Sequence, residues 1–190
     1  CGQQDEAARA YMTLADEALL RHRYVDAEEL YGKAIGQLGD DDAAGLARAR
    51  GGRGRVRYRL QRFHEALEDL RAARALSESL GDDRAVLDFF LEEATTLDWL
   101  QGFAASAAVV EQAKPLVARA GDPKLAARFL MATGRTQFRK GLIAECSATL
   151  SDAVAEARRL DDHECTTISL LLLALAGCAD SHRNCRPGIG

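Results

Sequence analysis

Two sets of residues in this chain are suited to gripping a carboxylate. Arg48, Arg55, Tyr58 and Arg59 stand at i, i+7, i+10 and i+11, and Arg128, Arg135, Phe138 and Arg139 repeat that spacing 80 residues later. An arginine fork holds a carboxylate through two parallel N–H···O bonds, and an aromatic beside it adds apolar contact. Between the sets lie Asp88, Glu92, Thr95, Asp98 and Trp99, the only tryptophan; Met12, Asp16 and Leu20 precede them. Two readings follow. The arginines with Trp99 as apolar anchor take an acidic peptide, or they pair with the acidic segment between them and hold neighbouring helices together. Trp99 is likewise either an anchor or half-buried packing.

The other reactive types form no working set. Cys178, His182 and Cys185 would share one face of a continuing helix at i, i+4 and i+7, a spacing zinc accepts. A fourth ligand is lacking, since Cys165 stands thirteen residues earlier, roughly 20 Å along a helix. Free thiols are the preferred reading, with no metal and no cofactor. A Cys178–Cys185 disulfide would need an oxidising compartment. His22, His64, His163 and His182 are scattered, and no phosphate loop, dinucleotide fingerprint, metalloprotease helix or nucleophile elbow occurs. Gly51-Gly52-Arg53-Gly54 is glycine-rich but follows no strand. Glu28-Glu29, Glu92-Glu93 and Asp161-Asp162 read as solvated faces and caps. These absences argue against an enzyme.

What positions the arginines is a repeat. Leu38-Gly39-Asp40, Leu80-Gly81-Asp82, Ala120-Gly121-Asp122 and Leu160-Asp161-Asp162 recur at intervals of 42, 40 and 40 residues. Glycine closes a helix in the left-handed conformation, and the aspartate caps the next one. Asp122-Pro123 adds proline at the first helical position; the fourth boundary lacks its glycine. Each block has a softer internal break followed by Tyr24, Phe63, Phe103 or Ile143. A small residue comes three positions later (Ala27, Ala66, Ser106, Cys146), then Tyr31, Leu70, Val110 or Leu150, then Ala34, Ala73, Ala113 or Ala153. Spacings of 3, 4 and 3 place each quartet on one helix face, small enough for a partner helix to approach closely. The expected hairpins cover about 8–38, 43–80, 83–120 and 123–160, with a half repeat at 162–179, one domain over 5–179 and an irregular tail at 180–190.

Tyr11, Leu14, Ala15, Tyr24, Ala27, Tyr31 and Ala34, with Gly54 and Gly134 at the small first-helix position, resemble the tetratricopeptide repeat (TPR) family over roughly residues 8–179. The period near 40 exceeds the family's usual length of about 34, the closing proline is absent, and Arg50 stands where a large apolar residue is usual. Longer units of this kind are similar to the MalT-like subset found in large bacterial signalling ATPases and some Ser/Thr kinases. The resemblance implies an all-α fold of antiparallel helical hairpins stacked in a right-handed superhelix, an α-solenoid. The first helix of each hairpin then lines the concave face, which Arg48, Arg55, Tyr58, Arg59, Trp99, Arg128, Arg135, Phe138 and Arg139 would furnish. The implied function is a non-catalytic scaffold for protein or peptide partners, or alternatively a regulatory sensor segment of a larger signalling ATPase or kinase.

Composition agrees. The chain is 47% hydrophobic but only 6% aromatic, with much of the apolar share in alanine and leucine, strong helix formers. A formal charge of −4 gives no reason to expect nucleic acid or a membrane surface. Twenty-one arginines against four lysines fit codon bias in a GC-rich genome. No apolar run approaches the about 20 residues of a membrane span. The five cysteines form no disulfide framework, and the expected location is the cytoplasm. Cys1-Gly2 also matches the start of a mature lipoprotein, though a fragment of a longer chain is preferred. Gly51, Gly52 and Gly54 should soften their helix unless packing against its neighbours compensates, and Pro115 should kink its own. The half repeat is expected to expose Leu170, Leu171, Leu172, Leu173 and Leu175, which points to self-association.

Overall fold

The computed structural model describes residues 2–184, with side-chain surroundings through 179. Among these the chain is helical and without strands: α1 (Gly2–Leu20), α2 (Tyr24–Gln37), α3 (Ala43–Arg59), α4 (Phe63–Leu80), α5 (Asp83–Trp99), α6 (Phe103–Ala113), α7 (Leu116–Ala120), α8 (Pro123–Arg139), α9 (Ile143–Arg159) and α10 (His163–Asn184). Backbone contacts gather them into two compact units, Cys1–Gly102 and Phe103–Gly190, so the division falls in the loop of the third hairpin. In the first unit α1 pairs with α2 and α3 with α4, and α2 and α4 pack in turn on α3 and α5. In the second, α8 pairs with α9, and α10 packs on both.

In the second-helix quartets the last three positions are buried, whereas the leading large residue is not: Phe103 is 45% exposed, and Tyr24, Phe63 and Ile143 are partly exposed. Ala27, Ala34, Ala66, Leu70, Ala73, Ala113, Cys146, Leu150 and Ala153 exclude solvent completely, and Tyr31, Ser106 and Val110 almost do. In the first hairpin their partners on α1 are Ala15 and Ala18; for Leu70 and Leu150 they are glycines. A Cβ on Gly54 would meet Leu70 Cγ at 2.9 Å, and one on Gly134 would meet Leu150 Cγ at 2.5 Å. Gly51 and Gly52 face aromatic rings instead, so the glycines of α3 are where the neighbouring side chains seat rather than a soft spot.

Three of the four turns inside hairpins are made by non-glycine residues, whose types gave no hint of it. His22, Gln61, Gln101 and Gly141 all take positive φ, between 58° and 74°. The N–H of the following residue reaches back to the carbonyl five positions earlier, as in Arg62 to Arg57 at 2.9 Å and Leu142 to Gln137 at 3.0 Å. This is the Schellman closure, which satisfies carbonyls the helix end leaves open. Between hairpins Gly81 does the same work, with Asp82 N–H reaching the Ser77 carbonyl at 3.0 Å; Gly121 is left-handed too, and Asp161 adopts φ 55° where the glycine is missing. Asp82, Asp122 and Asp162 cap the next helix through side-chain oxygens, each accepting a backbone N–H.

Four expectations need correction. The first boundary does not use Gly39 and Asp40: α2 ends into extended Leu38, and Asp42 caps α3 by accepting Gly45 N–H at 2.8 Å. Three successive aspartates offered a cap, and the last one stands next to the helix. Pro115 interrupts its helix outright, separating α6 from α7, because its ring removes an N–H and crowds the preceding turn. Helix α1 begins at Gly2, ahead of the expected start. Helix α10 continues to Asn184 rather than ending at 179; no proline intervenes before Pro187, in the stretch 185–190 outside the described residues.

Candidate partner-binding site

The first unit brings together Arg48, Arg55, Tyr58, Arg59 and Trp99, though not as a row of unoccupied cations. Asp16 on α1 accepts from Arg48 at 2.6 Å on one oxygen and from buried Tyr31 on the other. Burial and the Asp16 carboxylate together push the Tyr31 phenol far above its ordinary range. Arg55 pairs with Asp88 of α5, has Glu92 at 3.6 Å, and lies over the Phe89 ring at 5.5 Å. These pairs tie α1 to α3 and α3 to α5. Met12, expected on the same face, is instead buried with Ala34 and Ala49, while Leu20 is exposed.

At the carboxyl ends of α3 and α5 the site turns aromatic. Trp99 is 63% exposed. It stacks on Phe63 with ring centroids 5.9 Å apart and planes only 7° from parallel, and it donates its indole N–H to the Tyr58 hydroxyl at 2.7 Å. Tyr58 also meets Phe63 edgewise at 5.8 Å, and the Arg59 guanidinium lies 5.9 Å from the Tyr58 ring. Two contacts fix the indole while most of its surface stays in water, so the half-buried reading of Trp99 does not hold. Phe63, which its spacing placed at the head of the α4 quartet, instead joins Trp99 and Tyr58; its position at the hairpin turn beside Tyr58 was the available signal.

In the second unit Arg128, Arg135, Phe138 and Arg139 ride on α8. Phe138 packs against the cluster of Cys146, Leu150 and Ala176, so its ring serves the core. Arg139 covers the face of Phe103 at 4.3 Å, a cation–π contact. Arg128 lies close enough to Cys165 to favour its thiolate, against a larger effect of burial that raises the thiol.

The acidic pairs divide differently from expectation. Glu93 is almost fully buried, accepting from Arg74 at 2.6 Å and Arg71 at 3.4 Å, and Arg74 also lies over Phe90. Glu28 is partly buried and binds Arg57 at 3.0 Å and Arg62 at 2.7 Å. These carboxylates are structural anchors. Asp161-Asp162 does form a turn and cap, as its residue types suggest.

No group of three metal-binding side chains occurs among the described residues; His182 and Cys185 of the candidate zinc triad lie outside those whose surroundings are described. Cys146 and Cys165 are buried, and loss of hydration raises both thiols, whereas Cys178 is exposed. Fewer thiolates form at the buried pair, and reagents reach them less. In a Cys1→Ser, Cys185→Ser background, iodoacetamide at about pH 8, near the ordinary thiol range, is expected to label Cys178 and to spare Cys146 and Cys165 until urea is added. Mass spectrometry of the peptides checks this; equal labelling of all three in the folded protein contradicts the burial. Cys1 itself lies outside the described residues, and none of the described helices is long and apolar enough to cross a membrane.

No protein-family model and no curated protein matches this sequence. Solved structures do. A Rap protein complexed with competence and sporulation factor superposes with a TM-score of 0.75 at 11% identity over 92% of this chain, which spans about half (49%) of the Rap chain. BtubC (BKLC) from P. vanneervenii gives 0.68 at 15% identity, covering 98% of this chain and 85% of that one. A putative kinesin light chain from Podosopora anserina, built of nearly identical TPR-like repeats, gives 0.67 at 18% identity over 93% and 88%. With helices packed in consecutive antiparallel pairs and these neighbours, the chain has the all-α, TPR-like helical-repeat fold.

Proposed function

We propose that this chain is a non-catalytic scaffold that binds protein or peptide partners through the first-helix faces of its repeats, with acidic segments as preferred ligands. The observation that carries this is Trp99: a large indole held in one orientation by Phe63 and Tyr58 yet 63% exposed. Folding gains little from an exposed tryptophan, whereas a partner gains a rigid anchor whose ordering is already complete. Arg48, 60% exposed and bonded to Asp16 through Nη2, adds a fork with five donors in all, and Arg59 adds charge beside the aromatics. Arg55 contributes by holding Asp88 and Glu92. In the second unit Arg128, Arg135 and Arg139 are the corresponding residues, with Phe138 supporting them from the core.

The structural neighbours support the reading, since one of them is a Rap protein caught in complex with competence and sporulation factor. A repeat period near 40 residues also supports a MalT-like regulatory segment of a larger bacterial signalling ATPase or Ser/Thr kinase, which would use the same faces; a catalytic domain in the same polypeptide is the test.

The direct test is a peptide array probed with wild type, Trp99→Ala and Arg48→Gln. Wild type is expected to retain acidic peptides containing an apolar residue, with Trp99→Ala weakening them at least about 30-fold, the mark of a hot spot of about 2 kcal/mol or more. Arg48→Gln is expected to weaken acidic peptides selectively and to flatten their salt dependence. No retained peptide, or binding indifferent to both changes in folded protein, defeats the proposal.

A further inference from the structure

Three first helices of the first unit end on one equivalent position filled with different chemistry. Leu20 of α1, Arg59 of α3 and Trp99 of α5 each stand two residues before the left-handed residue of the hairpin turn, which is His22, Gln61 or Gln101. Helices α1, α3 and α5 touch in that order, and Trp99 reaches Tyr58, next to Arg59, through its indole N–H. Leu20 is 80% exposed and Trp99 63%, and Arg59 on the middle helix is exposed as well. The middle member shows that this is no edge effect. Helix α3 is in contact with α1 and α2 before it and with α4 and α5 after it, yet its last residue faces water. The row is therefore a surface of the packed helices and not an open end of them.

Farther up the same helices the charges are matched internally. Asp16 and Arg55 lie four residues before Leu20 and Arg59, and Arg48 and Asp88 lie eleven before Arg59 and Trp99. Arg48 pairs with Asp16 and Arg55 with Asp88, one diagonal used twice with its charges reversed. A carboxylate entering there meets Asp16, Asp88 and Glu92 as well as the arginines. Along the outer row the neighbours of Arg59 are uncharged, Leu20 on one helix and Trp99 on the other, and its guanidinium lies against the Tyr58 ring. Arg21 and Arg62, close by in sequence, turn to Glu17 at 3.7 Å and Glu28 at 2.7 Å. The row thus runs apolar, cationic, aromatic.

Packed helix axes lie about 8–10 Å apart, so the three positions follow one another at roughly that interval. A β-strand does not match it: residues two apart advance only about 7 Å, and residues three apart point to opposite faces. An α-helix matches only at every seventh residue, and ordering about fifteen residues costs twice the entropy of ordering seven. A polyproline II helix does match, because it repeats every three residues and rises about 3.1 Å per residue, or about 9 Å per turn. We propose that Leu20, Arg59 and Trp99 are consecutive subsites for one polyproline II segment of a partner protein, taking an apolar, an acidic and an apolar residue at i, i+3 and i+6. Prolines at the intervening positions favour binding because they set the conformation before contact. This register presupposes that the first-helix faces bind peptides as proposed, and it specifies which peptides.

Isothermal titration calorimetry with peptides of about seven residues, blocked at both ends, is the test. The reference peptide carries leucine at each end, glutamate at the centre and proline elsewhere. It is expected to bind wild type, and moving the glutamate by one position or deleting one proline should weaken it about 10-fold or more. Leu20→Ala, at an exposed position on which the fold does not depend, should cost about 10-fold. Arg59→Glu should reject the glutamate peptide and accept one with lysine at the centre, an exchange that a structural role for Arg59 would not produce. Leu80→Ala, half exposed on α4 outside the row, is expected to leave the affinity unchanged. Affinity indifferent to the register, or no exchange of preference at Arg59, overturns the proposal; if acidic peptides of other spacing still depend on Trp99 and Arg48, the broader peptide-binding function stands without it. Failure of every peptide to bind the folded protein removes both.

Discussion

Replacing Asp69 with alanine is expected to destabilise the first unit by about 3–5 kcal/mol, more than removal of most single side chains. Asp69 stands on α4 with 2% of its surface exposed. It accepts two bonds from Arg53, both at 2.7 Å, and one from Arg57 at 2.9 Å, with Arg50 at 3.7 Å. The partners are arginines of α3, so this one carboxylate neutralises charge between the two helices of a hairpin. The Arg53 guanidinium is held in its charged form chiefly by that bond, against the opposing effect of burial. Without Asp69, Arg53 and Arg57 remain largely buried; Arg57 keeps its ion pairs with Glu28 and Glu65, whereas Arg53 is left only their weaker electrostatic attraction. The penalty is the desolvation of an unpaired charge and not the worth of the pair. Asp69→Leu combined with Arg53→Met, which removes both ends, should therefore recover much of the loss. Urea unfolding followed by the fluorescence of Trp99, the only tryptophan, reports on this unit. A loss under about 1 kcal/mol for Asp69→Ala would show that the cluster behaves as an ordinary surface ion pair.

Gly52→Ala is expected to destabilise the same unit by about 1–2 kcal/mol, although alanine is the better helix former by about 1 kcal/mol. The added methyl would come to 2.5 Å from Cε1 and 2.8 Å from the hydroxyl oxygen of Tyr31. That ring has no easy retreat: it is buried, and its hydroxyl is fixed on Asp16. Gly51 has the same relation to Phe89, 2.5 Å from Cε1, so the double alanine variant should lose more than either single one. Gly36 is the control. It is an exposed helical glycine, and a methyl added there would meet nothing within 4 Å. Gly36→Ala should stabilise α2 by up to about 1 kcal/mol. Opposite signs at two helical glycines separate packing from propensity. A gain at both positions would mean that α3 does have room.

The repeat was readable from residue types alone because it rests on local physics. A helix face with Ala27, Tyr31 and Ala34, or Cys146, Leu150 and Ala153, is apolar and small wherever it is placed. A capping aspartate such as Asp82 or Asp122 needs only its neighbours in sequence. Hairpin order, the aspartate-capped starts of α5 and α8 and the buried last three positions of each quartet follow from such short-range rules. Pairing across helices does not. Helical spacing put Arg48, Arg55 and Trp99 on one side of the first helices. Sequence offered the acidic segment between the arginine sets as a partner, and Arg55 does meet Asp88 and Glu92 there, but it did not single out Asp16 for Arg48, 32 residues away. For the same reason Glu93 looked like a solvated charge until Arg71 and Arg74 of another helix closed over it, and Gly51 and Gly52 looked like weakness until Phe89 and Tyr31 filled the space they leave. What the sequence determined is which residues face inward along each helix, a matter of helical periodicity. What the tertiary structure alone decided is which inward charge finds a partner and which large side chain needs a glycine. Those energies arise between segments that the chain brings together only by folding.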